Sequence, residues 1–477
     1  MHAWIEHGYS FMPVWAQNVA ITAFGISYRK HRLGGDFDKY VAEFKLRDRW
    51  SPIQMNAYVE AHLRSVLVNA FLHVPYYRER WRACGITSRD LERMAPQELS
   101  KLPVTPKDDL RANPNQFLAE NRSKKEKICA NPSSGSTGTP IKAIWSSDVR
   151  RKYIAAREVR SFGWAGTSVR LPRAMIGGRS VVHDPNSTGP FYRYNRIERQ
   201  AYFSAYHLNA ARASNYVEGL NKHRPRLLTG YAHCYYFLAR HMLEQGLGLD
   251  YRPDALVLSS EPLSPEMKLV IEKAFGARAF EEYSSTENCF LTTECEYGRL
   301  HVNLDFGLLE ILDDGGSPVP VGTPGSVYAT GLLNHIQPLI RYQVGDVATW
   351  ARERCPCGRD QLPVLEAVQG RLEDIVVGPD GREMVRFHSL FLNLPRIIEA
   401  QVIQEAINQL RVKVVATDGF GPEEETAIRQ RTLQRLGQVE VSVERVAEIP
   451  RNNRGKFRSV ISLVPEADKQ LARASCR

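Results

Sequence analysis

Between Arg226 and Tyr283 the chain alternates short apolar runs with helix-length segments, a pattern that few architectures accept. Arg226–Thr229, Ala255–Ser259 and Arg278–Tyr283 read as strands, while Cys234–Gln245 and Pro265–Phe275 read as helices. That alternation predicts an α/β fold built in layers. Val302–Leu312, Gly325–Thr330 and Leu339–Tyr342 then read as β-rich. Upstream, apolar residues from Met55 to Ala70 recur at helical spacing, predicting a helix that ends before Pro75. Residues 144–161 also read as helical, with Trp145 and Tyr153 as core. A boundary is expected near Gln369-Gly370-Arg371, giving domains 1–369 and 370–477. In the second, strands at Ile398–Glu405, Leu410–Ala416 and Glu440–Arg445 surround a helix at Glu423–Leu436, a small α+β unit.

Within this frame, Ser133-Ser134-Gly135-Ser136-Thr137-Gly138-Thr139-Pro140 places five hydroxyl residues and two glycines in eight positions. Small side chains leave backbone N–H groups free, and glycine permits turns that make donors converge on an anion. Such a loop suits a polyphosphate, although the GxxxxGK[ST] pattern is absent. The same composition also serves linkers.

Three further segments carry chemistry-bearing groups. Glu282-Tyr283-Ser284-Ser285-Thr286-Glu287 combines an aromatic ring, three Ser/Thr hydroxyls and two acids. It reads equally as a helix start capped by Ser285 or Thr286. Arg341-Tyr342-Gln343-Val344-Gly345-Asp346 puts a carboxylate after a glycine at a strand end, able to accept from vicinal hydroxyls. Arg454-Gly455-Lys456 lies in a polar loop near the C-terminus. Separately, Cys295, His301, Cys355 and Cys357 supply thiolates and an imidazole suited to tetrahedral zinc; buried reduced cysteines are the alternative.

Composition narrows the class. The 477 residues are 43% hydrophobic and 24% charged, ordinary for a globular chain. A net charge of +10 is scattered along the sequence, which favours anionic small molecules over nucleic acid. The Phe11–Ile26 stretch is too short and too polar for a membrane span or a signal peptide. Eight cysteines in a chain this long do not suggest a disulfide framework, so a cytoplasmic location is expected.

In order, the Ser/Thr/Gly loop, YSSTE, RYQVGD, Gly370-Arg371-Leu372-Glu373-Asp374 and the terminal Gly-Lys resemble the adenylate-forming ligases. His73-Val74-Pro75-Tyr76-Tyr77-Arg78 and Cys355-Pro356-Cys357-Gly358-Arg359 are similar to the phenylacetate-CoA ligase branch and its capsular-polysaccharide, CapK-like relatives. The resemblance spans about residues 52–463. It implies a large N-terminal domain and a small mobile one. It also implies an ATP- and Mg²⁺-dependent enzyme that turns a carboxylic acid into an acyl-adenylate and passes it to an amine, hydroxyl or thiol.

The same resemblance implies residue roles. Ser133 to Thr139 would cradle the β/γ-phosphates. Tyr283 would stack on adenine, Thr286 would contact the α-phosphate and Glu287 would hold Mg²⁺. Asp346 would bind ribose hydroxyls, and Arg371 would contact ribose or phosphate. Ser260 would lie near adenine, Tyr231 would line the acyl pocket, Glu373 would mark a hinge, and Lys456 would act in adenylation. Some members of the branch hold structural zinc with a Cys/His arrangement of this kind. The chain departs from thioester-forming relatives at Ile375–Gly381, where they shape a tunnel for the CoA thiol. That departure points to an amine or hydroxyl acceptor, with CoA ligation as the alternative. A non-catalytic nucleotide-binding module is opposed by the joint presence of Glu287, Asp346, Arg371 and Lys456.

Overall fold

The computed structural model describes residues 9, 12–123, 128–132, 141–184, 186–369, 374–385, 387, 390–391, 394, 396–449 and 459–474. Two helices, Val14–Leu33 and Phe37–Arg47, lead into Pro52–His73. Ser51 caps that third helix reciprocally with Gln54, and its buried stripe runs Met55, Val59, Leu63, Val66, Leu67 and Ala70. Val74-Pro75 ends it, because a residue before proline is pushed out of the helical region, and Pro75 starts a new helix to Ala83. On that helix Tyr77 is wholly buried, and its hydroxyl accepts from the Ile340 backbone N–H at 3.0 Å. The HVPYYR segment is thereby tied to the approach of RYQVGD.

A small antiparallel pair, β1 (Ile128–Pro132) and β2 (Lys142–Ser146), precedes a helix at Ser147–Arg157. The expected helix at 144–161 therefore begins late. Trp145 lies on β2, and the helix ends in a wider π turn at Glu158–Phe162. The main sheet follows, with β3 (Arg173–Gly177), β4 (Tyr192–Asn195), β5 (Gln200–Ser204), β6 (Leu227–Tyr231), β7 (Ala255–Ser259) and β8 (Ala279–Ser284). It continues with β9 (Leu291–Glu294), β10 (Leu300–Val302), β11 (Gly307–Leu312), β12 (Gly325–Gly331), β13 (Tyr342–Trp350) and β14 (Val364–Gln369). The twelve strands run β11-β12-β13-β14-β10-β9-β8-β7-β6-β3-β5-β4. Strands β5, β3, β6, β7 and β8 are parallel, and the helices Ala232–Gln245 and Pro265–Phe275 serve as crossovers. The rest of the sheet pairs antiparallel.

A largely buried ion cluster fastens the N-terminal helices to this sheet. Arg160 donates to Asp48 at 2.7 Å, to Asn303 at 2.8 Å and to Asp305 at 2.6 and 3.0 Å, and Arg47 donates to Asp305 at 2.7 Å.

Beyond the sheet, β15 (Val376–Val377) and β16 (Glu383–Met384) form a short hairpin. A four-stranded sheet follows from β17 (Ile397–Ala406), β18 (Gln409–Ala416), β19 (Glu440–Arg445) and β20 (Val460–Ser462), ordered β19-β18-β17-β20. The helix Pro422–Leu436 covers it, burying Ile428 and Leu436 with Val402, Val412 and Val414. This is the separate small α+β unit expected from the sequence. Among the described residues no helix is long and apolar enough to cross a membrane.

Candidate functional site

RYQVGD opens β13 rather than ending a strand: Arg341 precedes it and Tyr342–Asp346 are its first residues. Ser326 pairs with Val347 and Tyr328 with Gln343, so residues 344–346 bulge opposite Val327 alone. Gly345 has φ +92°, a conformation that a side chain would strain. The bulge turns Asp346 toward the end of β8, where the Tyr283 hydroxyl donates to its Oδ2 at 3.0 Å. Tyr283 packs one side against Phe290, with ring centroids 4.8 Å apart. Two segments about sixty positions apart thus meet through side chains, although β9, β10 and β14 separate their strands in the sheet order.

Glu287 is buried at 4% exposure. Its Oε1 accepts from the Tyr342 hydroxyl at 2.8 Å and pairs with Lys107 Nζ at 3.2 Å. Burial alone would raise its pKa, but the Lys107 charge and the Tyr342 hydrogen bond outweigh it and hold the carboxyl below its ordinary range. Lys107 did not emerge from the sequence. It is delivered by Thr105, which runs beside β13, donating its N–H to Arg341 O at 2.9 Å and accepting from Gln343 N at 3.0 Å. Lys107 also donates to Val344 O at 3.0 Å. Nothing in the Thr-Pro-Lys-Asp-Asp run signals this partnership; only the bridge to β13 does.

Tyr231 ends β6, and Ser260, with φ +74°, follows β7; both line one cavity. Gly230 is required beside them, since a Cβ there would lie 1.9 Å from Ile176 O. His233 hydrogen-bonds Glu261 through its backbone N–H at 3.0 Å and its ring at 3.1 Å, a structural arrangement. Thr286 is half-buried next to Glu287. Trp145 and Tyr153 line the same cavity and are not simple core, and Tyr153 hydrogen-bonds Ser284 of the YSSTE segment. The loop Ser133–Thr139, Arg371, Glu373 and Lys456 lie outside the described residues.

The cysteine and histidine constellation does assemble. The candidate ligand atoms of Cys295, His301, Cys355 and Cys357 all lie within 4.8 Å of one another. Cys295 and Cys355 sulfurs are 3.5 Å apart, and Cys357 Sγ is 3.4 Å from His301 Nε2. Such spacings match the edges of a tetrahedron with Zn–S bonds of about 2.3 Å. His301 Nδ1 faces the Leu362 carbonyl at 2.9 Å, which directs Nε2 at the thiols as in metal sites where a second partner fixes the tautomer. Burial lowers the His301 pKa, keeping the imidazole neutral as a ligand must be. The β9–β10 hairpin brings Cys295 and His301 together through a turn at Gly298 (φ +74°), and the β13–β14 connection supplies the other two.

Residues 377–463 match the CapK C-terminal domain family model. Protein CapK of Staphylococcus aureus is 24% identical over 424 residues, which cover 87% of this chain and 89% of CapK. The phenylacetate-coenzyme A ligase of Thermus thermophilus is 23% identical over 447 residues, 86% of this chain and 97% of that protein. Among solved structures, 2-hydroxyisobutyryl-CoA ligase in complex with 2-HIB-AMP and CoA superposes with a TM-score of 0.57 at 21% identity, over 90% of this chain and 94% of that one. At that identity the likeness is one of fold. The chain is accordingly a homologue of CapK and the phenylacetate-CoA ligases, with the adenylate-forming ligase fold and a CapK-type C-terminal domain.

Proposed function

We propose that this protein is an AMP-forming ligase: it condenses a carboxylic acid with ATP, releases pyrophosphate, and transfers the acyl group from the adenylate to an acceptor. The observation that carries this reading is the meeting of Tyr283 with Asp346 and of Glu287 with Tyr342, which joins the YSSTE and RYQVGD segments at one locus. Asp346, oriented by Tyr283, would accept from the ribose hydroxyls. Glu287 stays ionised, as a ligand for Mg²⁺ must, and Thr286 beside it would meet the α-phosphate. The Ser133–Thr139 loop, Arg371 and a Lys456 carried on a small domain beginning near residue 370 would complete the constellation. ATP–pyrophosphate exchange over a panel of acids tests the reading; no exchange with any acid would overturn it.

Asp346→Ala is expected to raise the KM for ATP roughly 10- to 100-fold, the worth of charge-assisted hydrogen bonds, while the KM for the acid changes little. Steady-state kinetics in both substrates measure this, and an unchanged ATP response would place Asp346 outside the nucleotide site.

The acceptor is read as an amine or hydroxyl. In the segment that departs from thioester-forming relatives, Gly378 and Gly381 close the β15–β16 turn. Asn209 Nδ2 donates to Asp380 O at 2.7 Å, and Arg382 donates to Tyr206 O at 3.4 Å, so the turn is seated on the large domain. The competing reading is a CoA thiol, supported by the names of the phenylacetate-coenzyme A ligase relatives. Stoichiometric acyl-CoA, formed faster than AMP is released without CoA, would decide for the thiol.

Cys295, His301, Cys355 and Cys357 fit a structural zinc ion, which would clamp the β9–β10 hairpin to the β13–β14 connection. Protein purified without added metal is expected to hold about one zinc per chain, and Cys355→Ser and His301→Ala are each expected to lose it with a fall in melting temperature. Elemental analysis checks this; metal-free wild-type protein with the same melting temperature as a zinc-loaded sample would reduce the cluster to buried thiols.

A further inference from the structure

The cavity that Tyr231 and Ser260 line has a volume of about 270 Å³ and is lined by residues of β3, β6 and β7 and of the helices Val14–Leu33 and Ser147–Arg157. Its lining contains Arg32, Arg150, Arg157, Arg173 and Arg179 and, among the described residues, no carboxylate. Two carboxylates stand behind the wall. Glu198 accepts from Arg173 at 2.9 Å and Arg32 at 3.3 Å, and Glu282 accepts from Arg157 at 2.7 Å. Five guanidiniums against two carboxylates leave a surplus of three positive charges around one small cavity.

The surplus centres on Arg150 and Arg179, which have no carboxylate partner among the described residues. Arg179 donates to the Tyr28 hydroxyl at 2.9 Å, and the guanidiniums of Arg32, Arg150 and Arg179 lie 4.7, 4.8 and 5.2 Å from the Tyr28 ring centroid. Burial would raise the Tyr28 pKa, yet Arg32, Arg179 and Arg150 together bring it down to about 7, so the phenol behaves as a partial counter-anion. Trp145 also lines the cavity, and its indole N–H is buried without a hydrogen-bond partner among the described residues. An uncharged acyl tail in this space would strip water from guanidiniums and return no hydrogen bonds, which is costly. An oxyanion would accept from them in the planar geometry that guanidinium favours.

We propose that the acid activated by this protein carries a second anionic group at its far end, a carboxylate or phosphate-type oxyanion, bound by Arg150 and Arg179 while the reacting carboxylate points toward Ser260. The inference rests on the adenylation reading for which carboxylate reacts, but not for the anion site itself.

Two measurements separate the two. ATP–pyrophosphate exchange is run with glutarate, 4-carboxyphenylacetate and 3-phosphonopropionate, each against its uncharged-tail counterpart: monomethyl glutarate, phenylacetate and butyrate. Thermal-shift binding of the same six acids is recorded in parallel without ATP. The dianionic member of at least one pair is expected to bind at least ~10-fold more tightly and to be the better exchange substrate. Arg150→Gln and Arg179→Gln are each expected to weaken that dianion roughly 10-fold, with little effect on its uncharged counterpart, and Arg150→Lys to restore part of the binding. Equal or better binding and exchange by the uncharged acids would overturn the proposal, as would dianion affinity unchanged in both variants. Dianion binding that depends on the arginines, with no exchange by any acid, would uphold the anion site and overturn adenylation instead.

Discussion

Lys456→Ala is expected to slow acyl-adenylate formation by about 10²–10³-fold, equivalent to ~3–4 kcal/mol of lost transition-state stabilisation, while leaving transfer from a supplied acyl-adenylate near the wild-type rate. Attack of a carboxylate on the α-phosphorus builds negative charge around that phosphorus, which a lysine ammonium offsets, whereas consuming the adenylate places the developing charge on the acyl carbonyl oxygen and the departing AMP. The Gly455-Lys456 context and its place in the chain between β19 and β20 motivate the assignment. Pyrophosphate exchange reports the first half-reaction, and AMP release from preformed adenylate reports the second. Wild-type exchange in the variant would remove Lys456 from the chemistry. Equal loss in both half-reactions would mean a structural role.

Arg160→Met is expected to lower stability by about 3–5 kcal/mol, because it strands buried acids that the guanidinium now satisfies. Asp305 is fully buried, and among the described residues its remaining cation is Arg47, while the Asp48 carboxylate keeps only the Trp164 indole N–H at 3.0 Å. Burial would raise the Asp305 pKa, but Arg160 and Arg47 outweigh it and hold the carboxyl below its ordinary range. A depressed folded-state pKa contributes stability that is present above the unfolded-state value, near 4, and lost as pH falls through the folded-state value. The gap between wild type and variant should therefore hold steady from pH 6 to 8 and narrow only in strong acid. Denaturant titrations at both ends of that range measure it. A gap under about 1 kcal/mol at pH 7 would show that the methionine packs as well as the ion cluster, the known outcome when apolar residues replace buried pairs.

Much of the fold was legible in local pattern. Ala255–Ser259, Pro265–Phe275 and Glu440–Arg445 carry the limits expected from the sequence. Apolar runs and periodicity express burial directly, and glycine or proline marks their ends. The strands β3, β4 and β5 were not read, because arginine, tyrosine and glutamine break their apolar runs; on β3 and β5, Arg173, Gln200 and Tyr202 line the cavity, and on β4 Arg193 donates to Gln17. Trp145 and Tyr153 were assigned to core for the same reason: their hydrophobicity says that they are covered, not by what. Asp346 was placed at a strand end because glycine normally stops a strand, whereas here it permits a bulge within one.

The sequence by itself determined the layered α/β class, the small second domain, the ordered motifs and the identity of the four candidate metal ligands, since each is written in local spacing or in residue chemistry. Tertiary structure alone decided that Lys107 meets Glu287, that Tyr283 holds Asp346, and that Cys295 and Cys355 stand 3.5 Å apart. It alone gathered five arginines from positions 32 to 179 around one cavity, where the sequence showed only scattered positive charge. The reason is physical: a charge in water is screened over a Debye length and tells little of its neighbours, whereas enclosure by a folded wall removes the solvent and makes its partner, or the want of one, decisive.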